Sequence, residues 1–200
     1  LRALEVDEQQ SDVRIDQYVA PRAVHAVAVV VRKGERALVG FDDGSGPALF
    51  AASGSWGYNV SKWNGQSWTT IGTFDHLNDL FSGVYDLVVF DAGSGPSLYA
   101  VGYFSTVNGQ PIHSIARWTG SAWVSVGCGL NFGDAAFTSL VWNDGSGPAL
   151  YVGGAIGAAG CQPVQSLARW NGTTWSSLPP GLTTIPAALA AFDDGSGSAL

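Results

Sequence analysis

Metal chemistry needs imidazoles and carboxylates that converge, and Asp75, His76, Asp79 and His113 are the candidates for it in this chain. Three of them share the stretch "GTFDHLNDLF" at 72–81, and His113 would have to reach them from a separate loop. The same four residues read equally as solvated loop polars. Crosslinking chemistry rests on Cys128 and Cys161, the only cysteines among 200 residues. No Ser-His-Asp arrangement or catalytic pair of carboxylates can be defended from the spacing.

A third feature is a recurring acid-glycine motif. "DGSGPAL" stands at 43–49 and at 144–150, with "AGSGPSL" at 92–98 and "DGSGSAL" at 194–200. Calcium loops need several oxygen ligands at alternating positions. Here "FDDGSGP" offers Asp42 and Asp43, "FDAGSGP" only Asp91, and "WNDGSGP" Asn143 and Asp144, which is thin for calcium. A phosphate loop wants a lysine and a following helix, and neither is present. The glycines therefore read as a tight turn at positive φ, with proline at the start of the next strand, where no ladder donor is lost. The acid still has a natural partner. Lys62, Arg117 and Arg169 are the only bases after residue 37, and each precedes a tryptophan. The expected clamps are Arg169 with Asp144, Arg117 with Asp91, and Lys62 with Asp43. The alternative is a basic ring for anionic glycans.

The elements that position these residues follow from repetition. Gly44, Gly93, Gly145 and Gly195 open the turn motif at spacings of 49, 52 and 50. A second motif travels with it: "KWNGQSW" at 62–68, "RWTGSAW" at 117–123 and "RWNGTTW" at 169–175. One unit reads as four short strands. Strand a is apolar ("LVVF" 87–90, "SLVW" 139–142), and DGSGP turns it into strand b ("SLYAVG" 97–102, "ALYVGG" 149–154). A variable loop leads to strand c ("SIARW" 114–118, "SLARW" 166–170), and Asn-Gly or Thr-Gly sends the chain back as strand d. Asn-Gly between alternating segments is a strong hairpin signal, because both central residues of the two-residue turn need positive φ. Four antiparallel strands repeated in tandem describe a β-propeller blade. The expected division is 37–86, 87–138 and 139–188 for three blades and 189–200 for the start of a fourth. Residues 1–36 form an N-terminal segment with a buried strand at 24–31.

At this point the residues resemble the kelch-like β-propellers, the family that includes the central domain of galactose oxidase. The likeness lies in "LYVGG" at 150–154 followed by a tryptophan at the start of strand d, Trp175. Only this unit keeps the glycine doublet; the others have Val101-Gly102 and Ala52-Ser53. The second signature, "ARW.G..W", looks like a variant of secreted or surface proteins of bacterial type. The resemblance implies a binding scaffold and no particular chemistry. Galactose-oxidase chemistry needs tyrosine and cysteine beside histidine ligands, and no such set is visible. "GTTW" at 172–175 also echoes the Asp-box of sialidases, but Trp170 stands where that box needs its acid.

Strand alternation places the a–b and c–d turns on one rim and the b–c and d–a loops on the other. Function on a scaffold concentrates in variable loops. Trp56 and Tyr58 in "SGSWGYN", Tyr103, His76 and His113 are the candidate ligand contacts, although Trp56 could equally fold back as a lid. Tryptophans 63, 68, 118, 123, 170 and 175 read as packing between blades. Cys128 and Cys161 both fall on the loop rim, and a disulfide between them would enclose 32 residues and stabilise by roughly 3 kcal/mol.

Composition bounds the partners. Charged residues are only 12% of the chain and the net charge is −7, with no basic stripe for nucleic acid or acidic membranes. No apolar run approaches the roughly 20 residues of a membrane span. The chain has no methionine and stops inside a repeat motif, so it is expected to be an excerpt of a longer protein, an open arc whose edges invite self-association. The expected function is a non-catalytic extracellular or cell-surface scaffold, without cofactor, that binds protein or glycan through its loop rim. The alternative is a piece of a carbohydrate-active or oxidase-type enzyme whose catalytic residues lie outside this chain.

Overall fold

The computed structural model describes residues 35–53, 58–77, 81–178, 184–193 and 198–199. Every element among them is a β-strand. The strand expected at 24–31 lies outside the described residues. The first unit comprises β1 (Glu35–Asp42), β2 (Pro47–Ser53), β3 (Asn59–Trp63) and β4 (Trp68–Asp75). The second comprises β5 (Gly83–Asp91), β6 (Pro96–Tyr103), β7 (Thr106–Val107), β8 (Gln110–Pro111), β9 (Ile115–Trp118) and β10 (Trp123–Ser125). The third repeats that order with β11 (Ala135–Asn143), β12 (Pro148–Ala155), β13 (Ala158–Ala159), β14 (Gln162–Pro163), β15 (Leu167–Trp170) and β16 (Trp175–Ser177). A last pair, β17 (Phe192–Asp193) and β18 (Ser198–Ala199), follows. The main strands form three antiparallel sheets in the orders β1-β2-β3-β4, β5-β6-β9-β10 and β11-β12-β15-β16.

The a–b turns close as their composition dictates. Asp42 Oδ1 accepts the amides of Gly44 (2.9 Å) and Gly46 (3.0 Å). Asp91 does the same for Gly93 and Gly95, and Asn143 for Gly145 and Gly147. All six glycines sit at positive φ, a region that costs a residue without Cβ nothing.

Two details differ from the sequence reading. Strand a starts four residues earlier than "LVVF" and "SLVW" suggest, at Gly83 and Ala135. The extra residues pass through bulges at Val84/Asp86 and Ala136/Thr138, and a bulge breaks the period-2 pattern that would have revealed them. The c–d connections are four-residue loops, since Trp63 pairs with Trp68 and Trp170 with Trp175. Only the glycine there adopts positive φ. The asparagine side chain caps instead: Asn64 Oδ1 accepts the amides of Gln66 and Ser67, and Asn171 Oδ1 those of Thr173 and Thr174.

Successive sheets pack face to face through two apolar clusters. One joins Phe41, Phe50, Val60 and Phe74 of the first unit to Leu98, Trp118 and Trp123 of the second. The other joins Phe90, Tyr99 and Ile115 to Leu150, Trp170 and Trp175. The strand-d tryptophans also bond across the interface: Trp123 Nε1 donates to the Ile71 carbonyl (3.1 Å) and Trp175 Nε1 to that of Val126 (3.0 Å). Glycine is required where turns meet. A Cβ on Gly120 would lie 3.0 Å from the Asp43 carbonyl oxygen, and one on Gly172 2.8 Å from that of Ala92. The c–d turns of the second and third units therefore rest on the a–b turn of the preceding unit. First strands adjoin as well: Asp86 on β5 accepts from the amide (2.9 Å) and hydroxyl (2.7 Å) of Ser139 on β11. Burial pushes the Asp86 carboxyl above its ordinary range, and these donors only partly offset it.

Candidate functional site

Two clusters on opposite ends of the strands bring the candidate residues together. At the turn end of the first unit, Lys62 Nζ reaches both carboxylate oxygens of Asp43 at 2.7 Å and sits over the Phe50 ring. Asp43 also accepts from the Ser45 hydroxyl (2.8 Å) and from Trp118 Nε1 of the next unit (3.1 Å). The third unit repeats the set. Arg169 Nε lies 3.2 Å from Asp144, which also accepts from Ser146 and from the Tyr151 hydroxyl.

The second unit departs from it. Asp91 is the turn cap, equivalent to Asp42 and Asn143, and its side chain bonds the Gly93 and Gly95 amides. The clamp position is the next residue, Ala92, which has no carboxylate to offer. Among the described residues, the ion pairs are Lys62–Asp43 and Arg169–Asp144, so the expected Arg117–Asp91 pair does not form. Arg117 instead lines a polar pocket of about 360 Å³ with Asp42, Asp43, Ser94, Ser97 and Thr119.

The Asp43 clamp makes stability pH-dependent. Burial raises the carboxyl's pKa, but Lys62, Ser45 and Trp118 together outweigh it and bring it from 3.8 to about 2. A carboxyl whose pKa is depressed on folding adds stability that is complete above the unfolded value and fades as pH falls toward the folded one. Asp43→Asn is expected to cost about 1.5 kcal/mol at pH 7, a charged hydrogen bond's worth. The difference from wild type should shrink between pH 4 and 2 in urea titrations. A gap that stays constant over that window would show that the charge is not what matters.

On the loop end, the b–c connections of the second and third units are hairpins. β7 pairs with β4 of the preceding unit, and Ala159 of β13 bridges Leu130 after β10. Cys161, in the β13–β14 turn, is joined to Cys128 by a disulfide, with Cα atoms 5.9 Å apart. The hairpin is thereby stapled to the exit of the preceding sheet.

These hairpins frame an aromatic ledge. His76 is buried, and its ring stacks on Tyr103 (4.2 Å between centroids) and on Phe132 (5.0 Å). His113 meets Phe132 edge-on at 5.7 Å. Phe132 stays 58% exposed, and the neighbouring Leu77 is 72% exposed. Two of the expected contacts, His76 and His113, thus meet, with Tyr103 joining them through His76, on a residue the sequence reading did not single out. Its signal was a phenylalanine between Asn131 and Gly133, the same setting that marks Trp56. Tyr58 is half-buried and its carbonyl accepts from the Phe74 amide, while Trp56 lies outside the described residues.

Among the described residues, no three of His, Cys, Asp and Glu group closely enough to hold an ion. The His76 ring stacks on Tyr103 and Phe132 while its buried Nδ1 has no hydrogen-bond partner, and Asp79 lies outside the described residues.

Compared with known proteins, the chain matches no family model, no curated protein and no solved structure.

Proposed function

We propose that this chain is part of a non-catalytic, extracellular scaffold of the kelch-like propeller type that binds a protein or glycan through its loop end. The ledge of His76, Tyr103, His113 and Phe132 is the observation that carries the reading. A phenylalanine left open to solvent on a bed of buried and half-buried rings is what binding surfaces use, on sugar rings and on proteins alike.

The propeller arrangement is supported by three antiparallel sheets whose four main strands follow one order, the first extended by β7 and β8, with first strands adjacent and tryptophans packed between successive sheets. Three such blades complete no ring of four to eight, so the arc needs further blades or a second copy. The disulfide favours an oxidising compartment, consistent with the cell exterior.

The test is Phe132→Ala, alone and combined with Leu77→Ser, against immobilised neutral glycans and a panel of purified extracellular proteins. The variants are expected to lose binding at least tenfold while Tm stays within about 2 °C, because exposed side chains contribute little to stability. A wild type that binds nothing in either panel, or variants that bind fully, would overturn the reading.

A further inference from the structure

Position 92 breaks the pattern of its neighbours, and two polar groups are left facing the break. In the first unit, one carboxylate, Asp43, takes the strand-c cation of its own unit and the strand-c indole N–H of the next. The equivalents around Ala92 are Arg117 and Trp170. Arg117 has no ion pair among the described residues. Trp170 is 6% exposed and its Nε1 has no hydrogen-bond partner. A buried donor without a partner is costly to the fold, so the arrangement is poised to gain an acceptor.

We propose that the surface beside Ala92 is a binding site for a carboxylate carried by a ligand, held by the Arg117 guanidinium and the Trp170 indole N–H. The ligand's carboxylate takes the place that Asp43 and Asp144 occupy in the flanking units. Ser94, in the position of Ser45 and Ser146, supplies a third donor from the turn. Tyr99, opposite Arg117 on β6, closes the site. Burial raises its hydroxyl's pKa, while Arg117 and Trp170 act to lower it. Trp170 Nε1 lies beside that hydroxyl but makes no hydrogen bond to it.

The competing carboxylates are already engaged: Asp91 holds the Gly93 and Gly95 amides, and of the two that line a pocket with Arg117, Asp42 holds the Gly44 and Gly46 amides and Asp43 the Lys62 ammonium. The approach runs over Ala92 and Arg117, both half-buried, beside the exposed Ser94. Guanidinium with carboxylate is the pairing that bidentate geometry favours. The site lies at the turn end, so it stands or falls independently of the loop-end ledge.

The experiment is a titration of the ¹⁵N-labelled 200-residue chain with sodium acetate, against sodium chloride at equal ionic strength, following the indole N–H signals. Acetate is expected to move the Trp170 signal downfield with half-saturation on the order of 10 mM, as few contacts to a four-atom ligand permit. Trp118, already bonded to Asp43, should stay in place. Ala92→Asp should carry Trp170 to the shifted position without acetate and abolish its response. Arg117→Gln should raise half-saturation about tenfold or more.

Glucuronate and N-acetylglutamate amide separate a sugar acid from an acidic protein side chain, the tighter of the two naming the source. Equal affinity of all three would mean that the carboxylate alone is recognised. A Trp170 signal that ignores acetate, follows chloride equally, or responds in Ala92→Asp as in wild type would overturn the proposal. Should Ala92→Asp not fold, the wild-type and Arg117→Gln titrations decide.

Discussion

Trp175→Ala is expected to lower stability by about 4 kcal/mol, the range for truncating a buried core tryptophan. Its side chain is 8% exposed and stacks on Trp170 at 5.2 Å between centroids. It also fills the space left by Gly127 and Gly160, where a Cβ would meet its ring at 3.4 and 2.5 Å. Alanine opens a cavity between the second and third sheets and leaves the Val126 carbonyl without its indole donor. Trp175→Phe separates the two losses, since it keeps most of the packing and forfeits only the hydrogen bond, worth about 1 kcal/mol. Trp68, the first-unit counterpart, is half-buried, and its alanine variant should cost about half as much. Urea midpoints read all three, and equal losses at Trp68 and Trp175 would contradict the packing account.

Breaking the Cys128–Cys161 disulfide is expected to cost about 3 kcal/mol, mostly by freeing the unfolded chain. For a chain of this size that is a drop in Tm of about 6–12 °C, measurable by calorimetry with and without reductant or in Cys128→Ser. The fold should persist after reduction, because Gly160 N still donates to the Gly129 carbonyl (2.9 Å) and Ala159 still bridges Leu130. Cys161 has a φ of 65°, and the equivalent residue in the β7–β8 turn is Gly109. Cys161→Gly should therefore cost about 1 kcal/mol less than Cys161→Ser, which keeps a side chain in the left-handed region. A loss under about 1 kcal/mol on reduction would mean that the staple does little.

Much of the strand order was legible because its signals are local. Glycines two apart after an acid close a turn by their own dihedral freedom and one side-chain cap, and the β1–β2, β5–β6 and β11–β12 turns all do so. Continuous apolar runs in "SLYAVG" and "ALYVGG", buried on both faces, suffice to place β6 and β12. The small hairpins were readable in principle: "VNGQ" at 107–110 holds the Asn-Gly pair that forms the two-residue turn, with φ of 51° and 75°. The same dipeptide at 64–65 and 171–172 makes a longer loop, where the asparagine side chain caps backbone amides. Identical dipeptides took different turns because the lengths and pairing of the flanking strands differ.

The sequence by itself determined an all-β chain, its repeat of about fifty residues, the turn positions, and the two cysteines and three bases available to link them. Tertiary structure alone decided which residues meet. In "FDDGSGP" nothing local distinguishes Asp42 from Asp43, yet one points into its own turn and the other across to Lys62 and Trp118. Reading the second unit through Asp91 rather than Ala92 therefore missed by one residue. Phe132 likewise became part of the ledge only when the d–a connection came to lie against His76 and His113, over fifty residues apart from the former. Local dihedral preference acts within a few residues, whereas the partner of a side chain is set by the approach of separate sheets, which no short stretch encodes.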